Sequence, residues 1–151
     1  DQALLEVIEK ATRRLLIISF AVYTVPAIVA AIERAAQRGV AITLCAESTD
    51  ASEGRFHGDP AALEALRPWT SIYHWPADQR GRSERGAVGV LHAKAAVSDG
   101  EWLYISSANL TNYALTINME LGVLIRGGAA PAKVEQQCLS LIQQGVLRPL
   151  H

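Results

Sequence analysis

The sequence predicts an α/β domain in which a mixed, mostly parallel β-sheet is flanked by helices, and three observations carry that prediction. Two continuous apolar runs, LLIISFAV (15–22) and VAITLCA (40–46), are rich in β-branched residues and read as strands buried on both faces. Between them Pro26 opens, and Gly39 closes, a segment with Ile28, Val29 and Ile32 at helical spacing. A strand, helix, strand unit of this kind favours parallel pairing through a right-handed crossover. Further along, Asp99-Gly100 between two apolar segments is a favoured hairpin turn, because both central positions of a type I′ turn require positive φ, and it adds an antiparallel pair.

The other elements follow in order. Residues 1–13 carry Leu4, Leu5, Ile8 and Ala11 at helical spacing, with Asp1 suited to the helix N-terminus. Residues 47–58 are polar and leave the carboxyl end of a strand, where open α/β sheets place ligand sites; Arg55 and His57 lie here, with nothing spaced to pair with His57. Pro60 opens a short helix over 60–67. SIYHW (71–75) is a short strand whose His74 and Trp75, like Trp69, are better explained by packing than by lining a site or stacking bases. Residues 78–89, DQRGRSERGAVG, bring Arg80, Arg82 and Arg85 ahead of the next strand. They form either a solvated loop or a lid that contacts a polynucleotide backbone, since guanidinium forks bind phosphate. After a helical turn over 110–115 and a loop over 126–131, Pro131 opens a last amphipathic helix (132–144) with Val134, Cys138, Leu141 and Ile142 inward and Gly145 at its end. GGAAPAK lacks the Gly-Lys-Ser/Thr ending of a phosphate loop.

With 151 residues, 50% of them hydrophobic, the chain has the size for one core and is assigned as a single domain, 1–151. A net charge of −1 gives no global field for nucleic acid, so such binding must rest on a local patch. Cys45 and Cys138 make neither a disulfide framework nor a zinc spacing, and reduced thiols in a cytoplasmic protein are expected. No apolar run is long enough to span a membrane. Asp rather than Met at position 1 fits an excised or trimmed chain.

The chemistry concentrates in 90–125, VLHAKAAVSDGEWLYISSANLTNYALTINMELGVLI, where polar residues interrupt runs that otherwise read as buried strand. If Ser98 pairs with Glu101 across the Asp99-Gly100 turn, the antiparallel count sets Ser107 opposite His92, and alternation keeps Lys94 on the same face. Asn109 follows where that strand ends. Glu120 falls in a third strand, Asn118 to Ile125, whose apolar run suggests burial on both faces, so its carboxylate needs a partner. This set suits a phosphodiester. Lys94, Ser107 and Asn109 supply a cation and donors for the charge that grows at phosphorus, and a neutral His92 can attack through one nitrogen if the other is held by a carboxylate such as Glu120. The scheme calls on no metal and no cofactor.

The stretch resembles the motif of the phospholipase D superfamily: His-x-Lys, four residues, Asp, six residues, then Gly-Ser-x-Asn, here HAK (92–94), AAVS, Asp99, GEWLYI and SSAN (106–109), with Glu120 eleven positions after Asn109 as in that superfamily's small bacterial nucleases. Ser106 stands where the family has Gly; were positive φ or close approach of a phosphate needed there, Ser would be a strained but small substitute. SSANLT followed by NMELGVLIRG is also similar to the phospholipase D-like component of bacterial anti-phage DISARM systems. The resemblance implies the phospholipase D/nuclease fold, catalysis by His92, Lys94, Ser107, Asn109 and Glu120 with Asp99 and Ser106 in support, and a phosphohistidine intermediate. That reaction uses two histidines and the motif occurs once, so the resemblance implies a homodimer with both His92 side chains at the interface. Its expected partners are a second copy, nucleic acid and other defence proteins. Two alternatives stand beside this reading: a weakly active or inactive phosphate- or DNA-binding module, and a lipid phosphodiesterase, which an apolar entrance would favour over the arginine loop.

Overall fold

The computed structural model describes residues 2–48, 59–84, 86–111 and 118–150. Helix α1 (Gln2–Lys10) leads into β1 (Arg14–Ser19), α2 (Pro26–Gln37) and β2 (Ala41–Ala46), then α3 (Pro60–Leu66) and β3 (Ser71–His74). A short 3-10 turn, Ala77–Gln79, precedes β4 (Ala95–Ser98), β5 (Trp102–Ser106), β6 (Gly122–Arg126), α4 (Ala130–Gln143) and β7 (Arg148–Pro149). The strands form one sheet in the order β6-β5-β4-β1-β2-β3-β7.

The expected parallel crossover is present: β1 runs beside β2 and β2 beside β3, both parallel. The sheet as a whole is nevertheless mixed and mostly antiparallel, since β1–β4, β4–β5, β5–β6 and β3–β7 all run antiparallel. This corrects the expectation of a mostly parallel sheet. Parallel pairing needs a crossover helix between strands, and only the first half of the chain supplies one per strand.

Both faces are covered, as the uninterrupted apolar runs require. Leu15 and Ile17 of β1 pack with Leu44 and Ile72 under Ile8, Ile32 and Leu66 of α1, α2 and α3. Leu16 and Ile18 face the other way, with Cys45, Val97 and Leu103, under Val134, Cys138 and Leu141 of α4. Each side chain buried in this way contributes about 1.5–3 kcal/mol, and alternation along a single strand feeds both cores.

The hairpin turn forms as the sequence indicates, with φ 56° at Asp99 and 68° at Gly100, and Glu101 N donates to Ser98 O at 2.9 Å. The register does not. Ser98 pairs with Trp102, so Glu101 is an extra residue and the count is shifted by one. Ser106 N donates to Lys94 O at 3.2 Å, and Ser107 is not opposite His92. The strand expected from Val90 begins only at Ala95, which leaves His92 and Lys94 in the irregular segment before it.

β6 is also corrected. It is the outer strand of the sheet, and its residues are not buried on both faces: Leu121, just before it, is 80% exposed and Val123 is 55% exposed. At its start, Gly122 passes against Tyr104 so closely that a Cβ there would lie 2.6 Å from the tyrosine Cε2. The helical turn expected over 110–115 falls almost wholly outside the described residues, as do Arg55 and His57.

Candidate active site

His92 is exposed just ahead of β4, and three contacts fix its position. Lys94 Nζ lies 3.2 Å from both ring nitrogens and donates to the His92 carbonyl at 2.9 Å. Phe20, where the chain leaves β1, tilts at 54° against the imidazole with ring centroids 4.9 Å apart, and Lys94 Nζ sits 5.8 Å from the centre of the same phenyl ring. Half-burial lowers the Lys94 pKa, and the charge of Glu120 opposes that shift. The result is an imidazole facing outward with an ammonium at its edge. Such a pair receives an anion well, because the cation is already partly desolvated.

Ser107 reaches the site although the register slipped, because the chain bends out of the ladder after Ser106. His92, Lys94, Ser106 and Ser107 line one open depression of about 550 Å³, with Ile18 and Val134 on its wall. Ser106 takes an ordinary backbone conformation, since Asp99 is the sole non-glycine with positive φ among the described residues. Its Oγ accepts from Ala108 N at 2.9 Å and closes the bend. The strain anticipated for Ser at this position is therefore absent. Ser107 Oγ donates to Glu120 Oε2 at 2.5 Å and accepts from Leu121 N at 3.1 Å; Asn118 Nδ2 holds the other Glu120 oxygen at 3.2 Å. Glu120 thus finds its partners in Ser107 and Asn118 rather than in His92, and those two donors, the serine first, hold its carboxyl below the usual value. Asn109 is not on the wall of the depression, and its buried Oδ1 has no partner among the described residues.

Asp99 is remote from this chemistry. Its carboxylate accepts from Thr12 N and Oγ1 at 2.8 Å, Arg13 N at 2.9 Å and Arg14 N at 2.8 Å, tying the hairpin turn to the connection between α1 and β1. Arg80, expected to meet substrate, is instead buried. Its guanidinium pairs with Glu47, 3.0 Å to Oε2 and 2.5 Å to Oε1, and donates to the Trp75 and Gly89 carbonyls. Arg82 is exposed; Arg85 lies outside the described residues.

The sequence reading missed two residues. Phe20 read as part of a buried strand. Glu47 read as the start of a polar loop, yet it is fully buried, and besides Arg80 it accepts from Leu91 N at 2.9 Å, one residue before His92. A carboxylate directly after a buried apolar run, with an arginine in the loop that returns to the motif, was the available signal.

Behind the depression, between the sheet and α4, is a second, apolar cavity of about 470 Å³ whose wall includes Cys45, Cys138, Trp75 and Leu141. Ile18, Ala93 and Val134 border both spaces.

A family profile described as "Cardiolipin synthase, PLD-like domain" matches residues 4–142. The chain belongs to this PLD-like family. No curated protein matches it. Among solved structures, the PLD-like domain is similar to NucT from Helicobacter pylori, at 18% identity and a TM-score of 0.77, covering 99% of this chain and 89% of that one. It is also similar to Nuc, a phospholipase D family member from Salmonella typhimurium, at 21% identity and a TM-score of 0.68, covering 97% and 88% of the two chains. A third similarity is to phosphatidylserine synthase of Haemophilus influenzae, at 12% identity and a TM-score of 0.69, where it covers 99% of this PLD-like domain and 36% of the other chain. Among the described residues no helix is long and apolar enough to cross a membrane.

Proposed function

We propose that this PLD-like domain is a phosphodiesterase that cleaves nucleic acid through a phosphohistidine on His92, in an active site shared by two copies of the chain. The observation that carries the reading is the outward-facing His92 with Lys94 Nζ 3.2 Å from its ring, beside the Ser106 and Ser107 hydroxyls in one depression. His92 attacks phosphorus, the P–O bond to the leaving group breaks, and the partner subunit's His92 gives that oxygen its proton. Water, deprotonated by the same imidazole, then hydrolyses the phosphohistidine. Lys94 serves the non-bridging oxygens, joined by the Ser107 hydroxyl when it turns from Glu120 to the phosphate.

Two-fold pairing is supported by the apolar side chains exposed beside the site: Ile105, Met119, Leu121, Val123 and Leu124, on and around the outer strand β6. An unpaired strand carrying a cluster of apolar residues is a natural site for a second copy. The nuclease reading draws on the likeness to the two bacterial Nuc proteins, and a place in phage defence rests on sequence similarity to the DISARM component alone. His92→Ala abolishes cleavage of an activated phosphodiester in the presence of a chelator; retained turnover would remove His92 from its role. A crystal soaked with vanadate is expected to bridge two His92 side chains.

A second reading is favoured by a specific observation. The apolar cavity of about 470 Å³ adjoins the His92 depression, and Arg80, part of the case for a polyanion, is consumed by Glu47. Both features suit a phosphodiester carrying an apolar chain, and parallel assays on single-stranded DNA and on phospholipid micelles decide between the two. For an inactive binding module the sequence hint is Ser106, and its ordinary backbone removes the part of that hint that rests on positive φ.

A further inference from the structure

We propose that Cys45 and Cys138 form a reversible disulfide whose closure draws α4 towards the sheet and reshapes the depression in front of His92. The two sulfurs come from elements 93 residues apart and lie 3.4 Å from one another, both buried. A disulfide bond is about 2.04 Å long, so a gap of about 1.4 Å remains. Packed interiors normally resist such an approach. Here they do not, because the apolar cavity of about 470 Å³ lies between α4 and the sheet with both cysteines in its wall, and inward movement of the helix fills empty space. Val134, one helical turn before Cys138 on the same face of α4, also borders the depression holding His92 and Lys94. Whatever moves Cys138 therefore moves the wall of the reaction site.

The pair is chemically asymmetric. The shared hydrogen bond, whose donor can be either sulfur, pushes the Cys45 thiol up with burial adding to it, and lowers the Cys138 thiol with burial opposing it. Cys138, on the helix that moves, is taken as the attacking sulfur; the same disulfide forms if Cys45 attacks first. A neutral peroxide entering the cavity supplies the oxidant. Cys138 thiolate attacks one peroxide oxygen, the O–O bond breaks, and the departing hydroxide takes a proton to become water, leaving a sulfenic acid. The Cys45 sulfur then displaces that oxygen as a second water, its thiol proton leaving with it, and the S–S bond forms. Two thiols are oxidised and one peroxide is reduced to two waters; a dithiol reductant reverses the change.

The experiment treats the whole folded chain with hydrogen peroxide and follows free thiols, non-reducing peptide maps, Tm and the ring resonances of His92, assigned by their loss in His92→Ala. Expected are joint loss of both thiols, a Cys45–Cys138 link within one chain and a Tm higher by at least about 5 °C. His92 resonances are expected to shift and to return on reduction with dithiothreitol. In Cys45→Ser, Cys138 should oxidise to sulfenic and sulfinic acid with no rise in Tm. Thiols that stay titratable in the folded chain at peroxide levels that oxidise the unfolded one would overturn the proposal, as would a link between chains. A correct link with unmoved His92 resonances would overturn its connection to the site. None of these measurements requires turnover, so a failed cleavage assay leaves them decisive.

Discussion

Asp99 and Glu120 are both carboxylates of the motif region, and their surroundings give them opposite work. Burial alone would raise the Asp99 pKa, but the Arg14 and Thr12 backbone N–H groups, the Thr12 hydroxyl and Arg13 N–H outweigh it and hold the carboxyl below its ordinary range. A group depressed in the fold stabilises it above the unfolded pKa of about 3.9 and loses that contribution as pH falls through the folded value. Asp99→Ala is therefore expected to cost about 1–2 kcal/mol at neutral pH by removing hydrogen bonds at a solvent-accessible turn, with the gap from the natural chain narrowing below about pH 4 in thermal unfolding. Glu120 acts on charge instead: its carboxylate keeps the Lys94 pKa from falling further under burial. Glu120→Gln lowers that pKa, so the alkaline limb of the kcat/KM profile should move to lower pH. An unmoved limb would separate Glu120 from Lys94 electrostatically.

At the scale of elements, two connections decide whether the site is assembled. The buried Arg80–Glu47 pair joins the end of β2 to the loop that delivers His92, and Glu47 also holds Leu91 N. Removing one partner leaves the other charge buried and unpaired. Glu47→Ala should lose about 3–5 kcal/mol of stability by chemical denaturation, whereas Arg82→Ala, at an exposed side chain, should stay within about 0.5 kcal/mol. The second element is β6. Leu121 and Val123 project into solvent, so Leu121→Asp and Val123→Asp are expected to keep the fold by circular dichroism, sediment as monomers and lose cleavage together. An active monomer would contradict the shared site.

The whole molecule joins a parallel half, β1–β2–β3, to an antiparallel half, β4–β5–β6, and the site forms where Phe20 leaving β1 meets His92 entering β4. Because each catalytic centre is proposed to need two copies of His92, mixing equal amounts of natural chain and His92→Ala and allowing exchange should leave about a quarter of the dimers intact. Activity per total chain should fall to about that fraction, whereas independent sites would retain about half.

The motif spacing of His92, Lys94, Asp99, Ser107, Asn109 and Glu120, the parallel crossover and the type I′ turn were legible in the sequence because each depends on local pattern: apolar runs, turn chemistry and residue counts. What the local pattern left open was settled by packing. The extra residue at Glu101 moved the hairpin register by one, the end of the sheet exposed β6, and the packing of α4 on the sheet brought Cys138 within 3.4 Å of Cys45. Arg80 went inward for the same reason. Whether a charge faces solvent or a buried carboxylate depends on which distant segments fold over it, and that is a property of the three-dimensional arrangement rather than of neighbouring residues in the chain.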